Sequence, residues 1–251
     1  MKRIVFISIL FLSHLLTHSQ DIQIILQQAA KLESIPNEKA AFEKYKEAYK
    51  YQPNNLQALN KCSELCSRIG KREPDDNLRN TYFLNAKNYA SAALTIQPNN
   101  AEAHCVMAIA LGCIALDGSS REKVNAAKDI KKHIDLSLKN DPNNYKAWHV
   151  LGRWNYEISS LNIFERAAIK VLFGGLPKSN YAESVKAFEK ANNIKSFAAN
   201  YFELARAYKK NDQVDKAIAT IQLLLALPIQ TEEDDELKTM SRELLHKWQG
   251  S

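Results

Sequence analysis

Small and apolar residues recur along most of the chain at the three- and four-residue intervals of amphipathic helices. Three such segments share one ending, a proline followed by two asparagines, at 53–55, 98–100 and 142–144. Proline cannot continue a helix, and asparagine readily adopts turn conformations. The pattern therefore predicts a series of helices that are separated by short turns.

Comparison of the three segments, counted back from the proline, predicts which helix faces are buried. Small or apolar residues stand 12, 8 and 5 positions before each proline: Ala41, Tyr45 and Ala48; Ala86, Ala90 and Ala93; Ile130, Ile134 and Ser137. Residues at these offsets share one face, where a partner helix can approach closely. The prolines are 45 and 44 residues apart, whereas two-helix repeats of this kind have a period of about 34. We therefore expect insertions within the units, around 70–80 and 116–125.

The segment after Pro142 resembles a tetratricopeptide first helix. Trp148, Leu151 and Gly152 occupy the consensus Trp, Leu and Gly positions, and Asn155 replaces the consensus Tyr. A further unit, 201–228, follows the pattern with one residue of slippage. Over 22–228 the chain resembles the tetratricopeptide repeat family. This resemblance implies an all-α solenoid of about five helix pairs, with a capping helix at its C-terminal end.

The fourth unit is longer than the others and carries an inserted segment. Leu161, Phe164, Ala168, Val171 and Leu172 follow helical spacing. Gly174 and Gly175 end this helix, and a capping box from Asn180 to Glu183 is expected to begin the next one. We expect Phe164 and Leu172 to be buried against neighbouring helices.

A narrower resemblance covers 145–246. The residues that carry it are Leu151-Gly152-Arg153-Trp154, Tyr156-Glu157, Phe164-Glu165-Arg166, Leu172-Phe173-Gly174, Pro177, Tyr181 and Thr231-Glu232-Glu233-Asp234. In this order they resemble the C-terminal domain of the regulator of microtubule dynamics protein family. That resemblance implies a tetratricopeptide-like domain that acts in binding; some members associate with microtubules, and others bind phospholipid at membrane contact sites. Only the fold and a binding role are carried over to this chain.

The N-terminus has the three-part pattern of a secretory signal peptide. Lys2 and Arg3 precede an uncharged apolar run, 4–16. Small residues at 17 and 19 occupy the −3 and −1 positions before a cleavage site between Ser19 and Gln20. The run is shorter than the roughly 20 residues that span a bilayer. We expect a signal peptide at 1–19 and a single solenoid domain at 20–251. The mature protein would be exported, to the periplasm of a two-membrane bacterium or otherwise to the medium.

Composition adds little to this picture. The 251 residues include 34 Lys or Arg and 28 Asp or Glu, a net charge of +6. Removal of Lys2 and Arg3 with the signal peptide leaves +4. This mild excess does not indicate nucleic-acid binding. The oligomeric state is left open.

The concave surface of such a solenoid is lined by first helices. Their exposed positions predict seven partner-binding residues: His149, Arg153, Tyr156, Phe202, Arg206, Lys209 and Lys210. Basic and aromatic residues together suit an acidic protein or peptide. The alternative is a phospholipid-binding module that uses the same basic groove together with the amphipathic insertion 161–173. A third interpretation leaves these positions as solvated helix faces, with Arg153 paired to Glu157.

No motif indicates catalysis, a cofactor or a metal site. A nucleophile–base pair, a phosphate loop and a paired-carboxylate signature are all missing from the sequence. Glu157, Glu165 and Arg166 are instead expected to form a salt-bridge network that holds the inserted helix. The non-enzymatic scaffold is therefore the favoured interpretation.

The cysteines and the acidic run have structural interpretations. Cys62, Cys66, Cys105 and Cys113 lack tight metal-binding spacings and are expected to pack as small apolar residues, although an oxidised pair between units stays open. Five acids, 232–236, open the last helix, where they complement the helix dipole. That helix should cap the solenoid through an apolar stripe: Leu237, Met240, Leu244 and Trp248.

Overall fold

The computed structural model describes residues 22–250. This part of the chain forms α-helices and one 3₁₀ turn, Ala115–Asp117, and contains no strand. The helices are α1 (22–34), α2 (Glu38–Tyr51), α3 (Leu56–Arg72), α4 (Asp76–Ile96), α5 (Ala101–Ile114), α6 (Ser120–Asn140), α7 (Tyr145–Ser160), α8 (Ile163–Phe173), α9 (Tyr181–Ile194), α10 (Ala198–Lys210), α11 (Val214–Ala226) and α12 (Asp234–Gln249). The predicted all-α class is confirmed.

The helices associate as five pairs in chain order: α1 with α2, α3 with α4, α5 with α6, α7 with α9, and α10 with α11. The first helices α3, α5, α7 and α10 pack side by side, as they do in a tetratricopeptide solenoid. The inserted α8 lies between α7 and α9 in the chain, and α12 packs against α10 and α11. This is the predicted arrangement of repeats, insertion and cap.

The second asparagine of each Pro-Asn-Asn motif begins the next first helix. The side chains of Asn55, Asn100 and Asn144 accept hydrogen bonds from backbone N–H groups three residues later, at 2.8–2.9 Å. These bonds satisfy N–H groups that have no partner within the helix. One short motif therefore both ends a helix and caps the following one.

Close helix packing follows the predicted faces. Eight of the nine residues at the offsets before each proline are buried, and only Ile130 is half-buried. Alanines at these positions allow the helix backbones to approach. Close approach also explains Gly152 in α7, because a Cβ atom at this position would lie 2.5 Å from the ring of Phe188.

The expected insertions take the form of longer helices. Both α4 and α6 have 21 residues, whereas α2 and α9 have 14. The extra sequence around 70–80 and 116–125 therefore extends the second helices of the units. It contributes the 3₁₀ turn but no long loop.

The inserted helix α8 has the predicted ends but not the predicted burial. Gly174 and Gly175 adopt φ angles of 76° and 85°, which only glycine reaches without strain. Phe164 and Leu172 are 85% and 69% exposed, so the expectation that they are buried was wrong. α8 packs against α6 through its opposite side, and its apolar face points outward.

Two smaller expectations also need correction. Asn180 accepts the N–H of Glu183, but the Glu183 carboxylate turns to Lys186, so only half of the capping box forms. In α12, Leu237 and Trp248 are buried and Leu244 is partly buried, but Met240 is 41% exposed. The buried stripe uses the fully buried Ser241 instead, because intervals of four, three and four residues keep one helix face.

Candidate ligand-binding groove

Two arginines from adjacent units converge on one carboxylate in the first-helix layer. Arg153 of α7 approaches Glu203 of α10 with its Nε atom 3.6 Å from a carboxylate oxygen. Arg206, one turn further along α10, donates to the other oxygen of Glu203 at 2.9 Å. We call these three residues the Arg153–Arg206 cluster.

The cluster has more hydrogen-bond donors than protein acceptors. Arg153 and Arg206 side chains are 42% and 36% exposed, while Glu203 is 14% exposed. Among residues 22–250, the terminal nitrogens of Arg153 have no acceptor within hydrogen-bond distance. A guanidinium presents five N–H donors in a planar fork that matches carboxylate and phosphate groups. The cluster can therefore accept a second anionic group.

Two aromatic side chains hold the Arg206 guanidinium in place. Its Cζ atom lies 5.0 Å from the ring centroid of Tyr156 and 5.8 Å from that of Phe202. Both aromatic residues are buried. They orient the cation through its attraction to their ring faces and leave little ring surface for a ligand.

His149 is a neutral packing residue at the same layer. Its Nδ1 atom lies 3.0 Å from the Asn200 side-chain oxygen, and its ring packs against Phe188 and Phe197. Burial, together with the charges of Arg153 and Lys71, lowers the pKa of His149 to about 3. It therefore adds no positive charge to the groove at neutral pH.

Lys209 and Lys210 occupy the last turn of α10, where cations complement the helix dipole. Lys210 is exposed and Lys209 is half-buried. Of the seven predicted residues, four therefore present positive charge: Arg153, Arg206, Lys209 and Lys210.

The N-terminal half of the first-helix layer is filled by an ion-pair network. Lys146 of α7 contacts Glu64 of α3 at 2.7 Å and Glu102 of α5 at 2.6 Å. Burial alone would raise the pKa of Glu64, but the charges of Lys146, Lys61 and Arg68 hold it well below its usual range. Glu64 therefore remains ionised, and this part of the layer is already neutralised.

A second ion-pair group surrounds the fully buried Glu38. Arg68 and Arg72 both donate to its carboxylate. Glu232, from the loop before α12, accepts the backbone N–H of Glu38 at 2.7 Å and pairs with Arg72 at 2.9 Å. The C-terminal end of the chain is thus joined to the first two units. Sequence spacing gave no signal for this contact.

The expected ion pairs at the insertion were wrong. Arg153 pairs with Glu203, while Glu157 is exposed on α7. Arg166 donates instead to three backbone carbonyls at the C-terminal end of α7, those of Ile158, Ser159 and Leu161, at 2.6–3.1 Å. These carbonyls have no partner within α7, which makes them good acceptors for a cation.

Glu165 begins its own helix rather than joining a salt-bridge network. Its carboxylate accepts the backbone N–H of Asn162 at 2.7 Å, and the Asn162 side chain accepts the N–H of Glu165 at 2.9 Å. This reciprocal pair is a complete capping box.

The four cysteines are free and buried. Burial raises the pKa of each thiol, to about 12 for Cys66. They are therefore protonated packing groups at neutral pH. No group of three or more His, Cys, Asp or Glu side chains within 22–250 has the geometry to hold a metal ion.

The sequence matches a family model described as regulator of microtubule dynamics protein 1-3, over residues 25–249. The chain belongs to this family. The match includes the N-terminal repeats as well as 145–246, so the family relationship covers the whole solenoid.

Three curated family members illustrate the degree of similarity. Regulator of microtubule dynamics protein 1 of Mus musculus is 28% identical over 194 residues, which cover 76% of this chain and 62% of the relative. Protein 3 of Xenopus laevis is 25% identical, with coverages of 90% and 50%. Protein 2 of Homo sapiens is 24% identical, with coverages of 88% and 52%. The chain thus spans between half and about three fifths of these relatives' lengths.

A solved structure supports the fold of this family member. A thermophilic TPR protein of Thermus thermophilus superposes with a TM-score of 0.64 over 90% of this chain and 99% of its own, at 14% identity. The chain therefore has a TPR-like helical fold. No helix within the described residues is long and apolar enough to cross a membrane.

Many residues of the family motif have structural roles here. The Trp154 indole donates to the Ala127 carbonyl at 2.8 Å and joins α7 to α6. Asp234 accepts the Thr231 hydroxyl at 2.6 Å and the backbone N–H groups of Gln230 and Thr231. These bonds shape the loop that delivers Glu232 to Arg72.

Proposed function

We propose that this chain is a non-enzymatic scaffold that binds an acidic protein or peptide through the Arg153–Arg206 cluster. The observation that carries the proposal is the sharing of Glu203 by two arginines from adjacent units, both of which stay partly exposed. One carboxylate cannot satisfy two guanidinium groups. An acidic side chain or a terminal carboxylate of a partner supplies the missing acceptor.

The surroundings of the cluster support an acidic ligand. The N-terminal half of the layer is neutralised by internal ion pairs such as Lys146 with Glu64. Excess positive charge therefore remains at the C-terminal half, where Lys209 and Lys210 add to the two arginines. Such a field attracts anions and weakens as salt rises.

A phospholipid headgroup is a second candidate ligand for the cluster. A phosphate matches the planar donors of Arg153 as well as a carboxylate does. The insertion would not share in this binding at the cluster, because α8 packs on the second helix α6 and not in the first-helix layer. The headgroup and the peptide therefore compete for the same two arginines.

We also propose that the protein acts outside the cytoplasm. The charged start, apolar run and small residues at 17 and 19 support export with cleavage before Gln20. Ser19 and Gln20 lie outside the described residues. The acidic partner would then be an envelope or secreted component.

Affinity capture with a charge-reversed variant tests the binding proposal. Arg153→Glu with Arg206→Glu should lose the acidic proteins that the wild type captures and should retain its helical circular dichroism. The matched control is Lys87→Glu with Lys190→Glu, which reverses two exposed charges on the second helices α4 and α9. Equal capture by all three proteins, at low and high salt, would exclude the cluster as the binding site. Anionic lipid extracted with the wild type but not with the cluster variant would identify the headgroup instead.

A further inference from the structure

The exposed side of α8 is a continuous apolar face. Its members recur at one- and three-residue intervals: Ile163, Phe164, Ala167, Ala168, Val171 and Leu172. The four large side chains are 69–85% exposed. Contiguous exposed apolar surface of this kind marks an interaction site in a soluble protein. We call these six residues the α8 apolar face.

The helix that carries this face is firmly attached to the solenoid. Asn162 and Glu165 form its capping box, and Gly174 and Gly175 close its C-terminal end with N–H bonds to Lys170 and Ile169 carbonyls. Arg166 fixes its first turn to α7. Lys128 of α6 donates to the Phe173 carbonyl at 2.5 Å. These contacts hold the half-buried side of α8, with Arg166, Ile169 and Phe173, inward and the α8 apolar face outward.

Two segments, α8 with its flanks and most of the neighbouring α6, are rich in basic residues. Segments 120–135 and 161–178 hold eight Lys or Arg and four Asp or Glu, a net charge of +4. Apart from these segments and Lys2 and Arg3, the chain is balanced, with 24 basic and 24 acidic residues. The net excess of basic over acidic residues in 20–251 therefore falls within α6 and the segment that carries α8, two elements that pack together.

Several of these cations are free to contact a ligand. Arg121, Lys128 and Lys132 share one face of α6, since seven and four residues separate them. Lys170 lies at the edge of the α8 apolar face, and Lys178 follows the helix. Arg121, Lys132, Lys170 and Lys178 are exposed and pair with no carboxylate among residues 22–250.

We propose that α8 docks this protein on an anionic lipid bilayer, with its apolar face in the interface and the surrounding cations at the headgroups. An amphipathic helix with large apolar residues on one side and basic residues around it has this property. Each basic residue near an anionic surface adds to the attraction. The site is separate from the Arg153–Arg206 cluster and does not depend on the proposed function.

A second copy of the chain fits the same face less well. At 100° per residue, Glu165 and Lys170 lie on opposite edges of the face. Antiparallel pairing of two α8 helices about a two-fold axis brings equal edges together. The two Glu165 carboxylates would then face each other, as would the two Lys170 ammonium groups.

A tryptophan at position 164 tests the docking directly. The full-length Phe164→Trp protein is mixed with vesicles of equal phosphatidylcholine and phosphatidylglycerol, with and without bromine on the acyl chains. The bromine should quench emission beyond the level of the wild type, whose native tryptophans give the background. Leu84→Trp, at an exposed position on α4, is the matched control and should gain no quenching.

Vesicle flotation provides the second measurement. Phe164→Gln with Leu172→Gln should lower the partition coefficient at least about tenfold, because burial of each large apolar side chain is lost. The matched control is Leu84→Gln with Leu223→Gln, which replaces two exposed leucines on α4 and α11. The variant Phe164→Gln with Leu172→Gln should float less than the variant Arg153→Glu with Arg206→Glu, and the latter should be compared with its charge-matched control Lys87→Glu with Lys190→Glu, because all charge reversals weaken the attraction to an anionic surface. Phosphatidylcholine alone should recruit much less protein.

Absence of extra quenching in the Phe164→Trp protein would overturn the docking proposal. This holds even if residues 1–21 bind the vesicles, because the quenching reports only whether position 164 reaches the acyl chains. Equal flotation of the α8-face variant and its leucine control would also overturn it. A molar mass in solution that doubles in the wild type and not in the α8-face variant would assign the face to a second copy.

Discussion

Arg72 and Glu232 lie 160 residues apart in the chain and form an ion pair of 2.9 Å. The same carboxylate accepts the backbone N–H of Glu38 at 2.7 Å. The loop before α12 therefore joins the last helix to the first two units. Solenoids are usually stabilised by contacts between neighbouring repeats, so this long-range contact adds cooperativity between the two ends.

Removal of the Glu232 carboxylate should therefore destabilise the protein. Glu232→Ala leaves the Glu38 N–H without its acceptor and takes one carboxylate from Arg72, which should lower the free energy of unfolding by about 1–2 kcal/mol. Denaturant titration followed by circular dichroism measures this change. Glu243→Ala, at an exposed position on α12, is the control. An equally small loss of unfolding free energy in both variants would show that the contacts of Glu232 do not stabilise the protein.

Mild acid should weaken the fold through His149. The folded pKa of about 3 lies below the ordinary value of 6.5, so the folded state binds fewer protons than the unfolded state between these values. Stability is present above pH 6.5 and is lost as the pH falls below it. Between pH 6.5 and 4.5 His149 should account for a loss of about 2 kcal/mol.

Replacement of the imidazole tests this assignment. His149→Gln should reduce the loss of unfolding free energy between pH 6.5 and 4.5, measured by urea titration at each pH. His246→Gln, at an exposed position on α12, serves as the control. Identical pH profiles for the wild type and His149→Gln would show that folding does not lower the pKa of His149.

Two phenylalanines should differ sharply in their contributions to stability. Phe188 is fully buried against Gly152, whereas Phe164 is 85% exposed. Phe188→Ala should cost about 3–5 kcal/mol of unfolding free energy, and Phe164→Ala should change it by less than about 0.5 kcal/mol. Thermal denaturation of both variants compares them directly. A large loss from Phe164→Ala would mean that the α8 apolar face is covered within the protein.

The helices and their ends could be predicted from the sequence because the signals are local. Asn55, Asn100 and Asn144 cap the helices that follow them, and each bond spans only three residues. The buried faces followed from spacing within single helices, as at Ala41 and Ala48. Local periodicity reports which residues share a face.

Periodicity does not report what covers a face, and this limit explains the error at α8. Phe164 and Leu172 form the expected amphipathic pattern, yet no neighbouring helix among the described residues lies over them. The same limit applies to the ion pairs of the first-helix layer. Lys146 pairs with Glu64, 82 residues away, and Arg153 pairs with Glu203 rather than with the nearby Glu157. Such pairs depend on the stacking of repeats, which single-helix patterns do not contain.

Export can be checked at the N-terminus of the mature protein. Cleavage after Ser19 should give a chain that begins at Gln20, or within a few residues of it, because small residues at 17 and 19 suit signal peptidase. N-terminal sequencing of protein purified from its native source makes this measurement. An intact Met1 would contradict the proposed export.

Site-specific photo-cross-linking tests the groove most directly. A photoreactive residue at Glu157, one turn beyond Arg153, or at Lys210 places the probe beside the Arg153–Arg206 cluster; one at Lys87 places it on α4 in the outer layer. Binding at the Arg153–Arg206 cluster predicts cross-links to one acidic partner from positions 157 and 210 and none from position 87. These cross-links should be lost at high salt and in Arg153→Glu with Arg206→Glu. Cross-links to that partner from position 87 alone, or yields that neither salt nor charge reversal changes, would contradict binding in the groove.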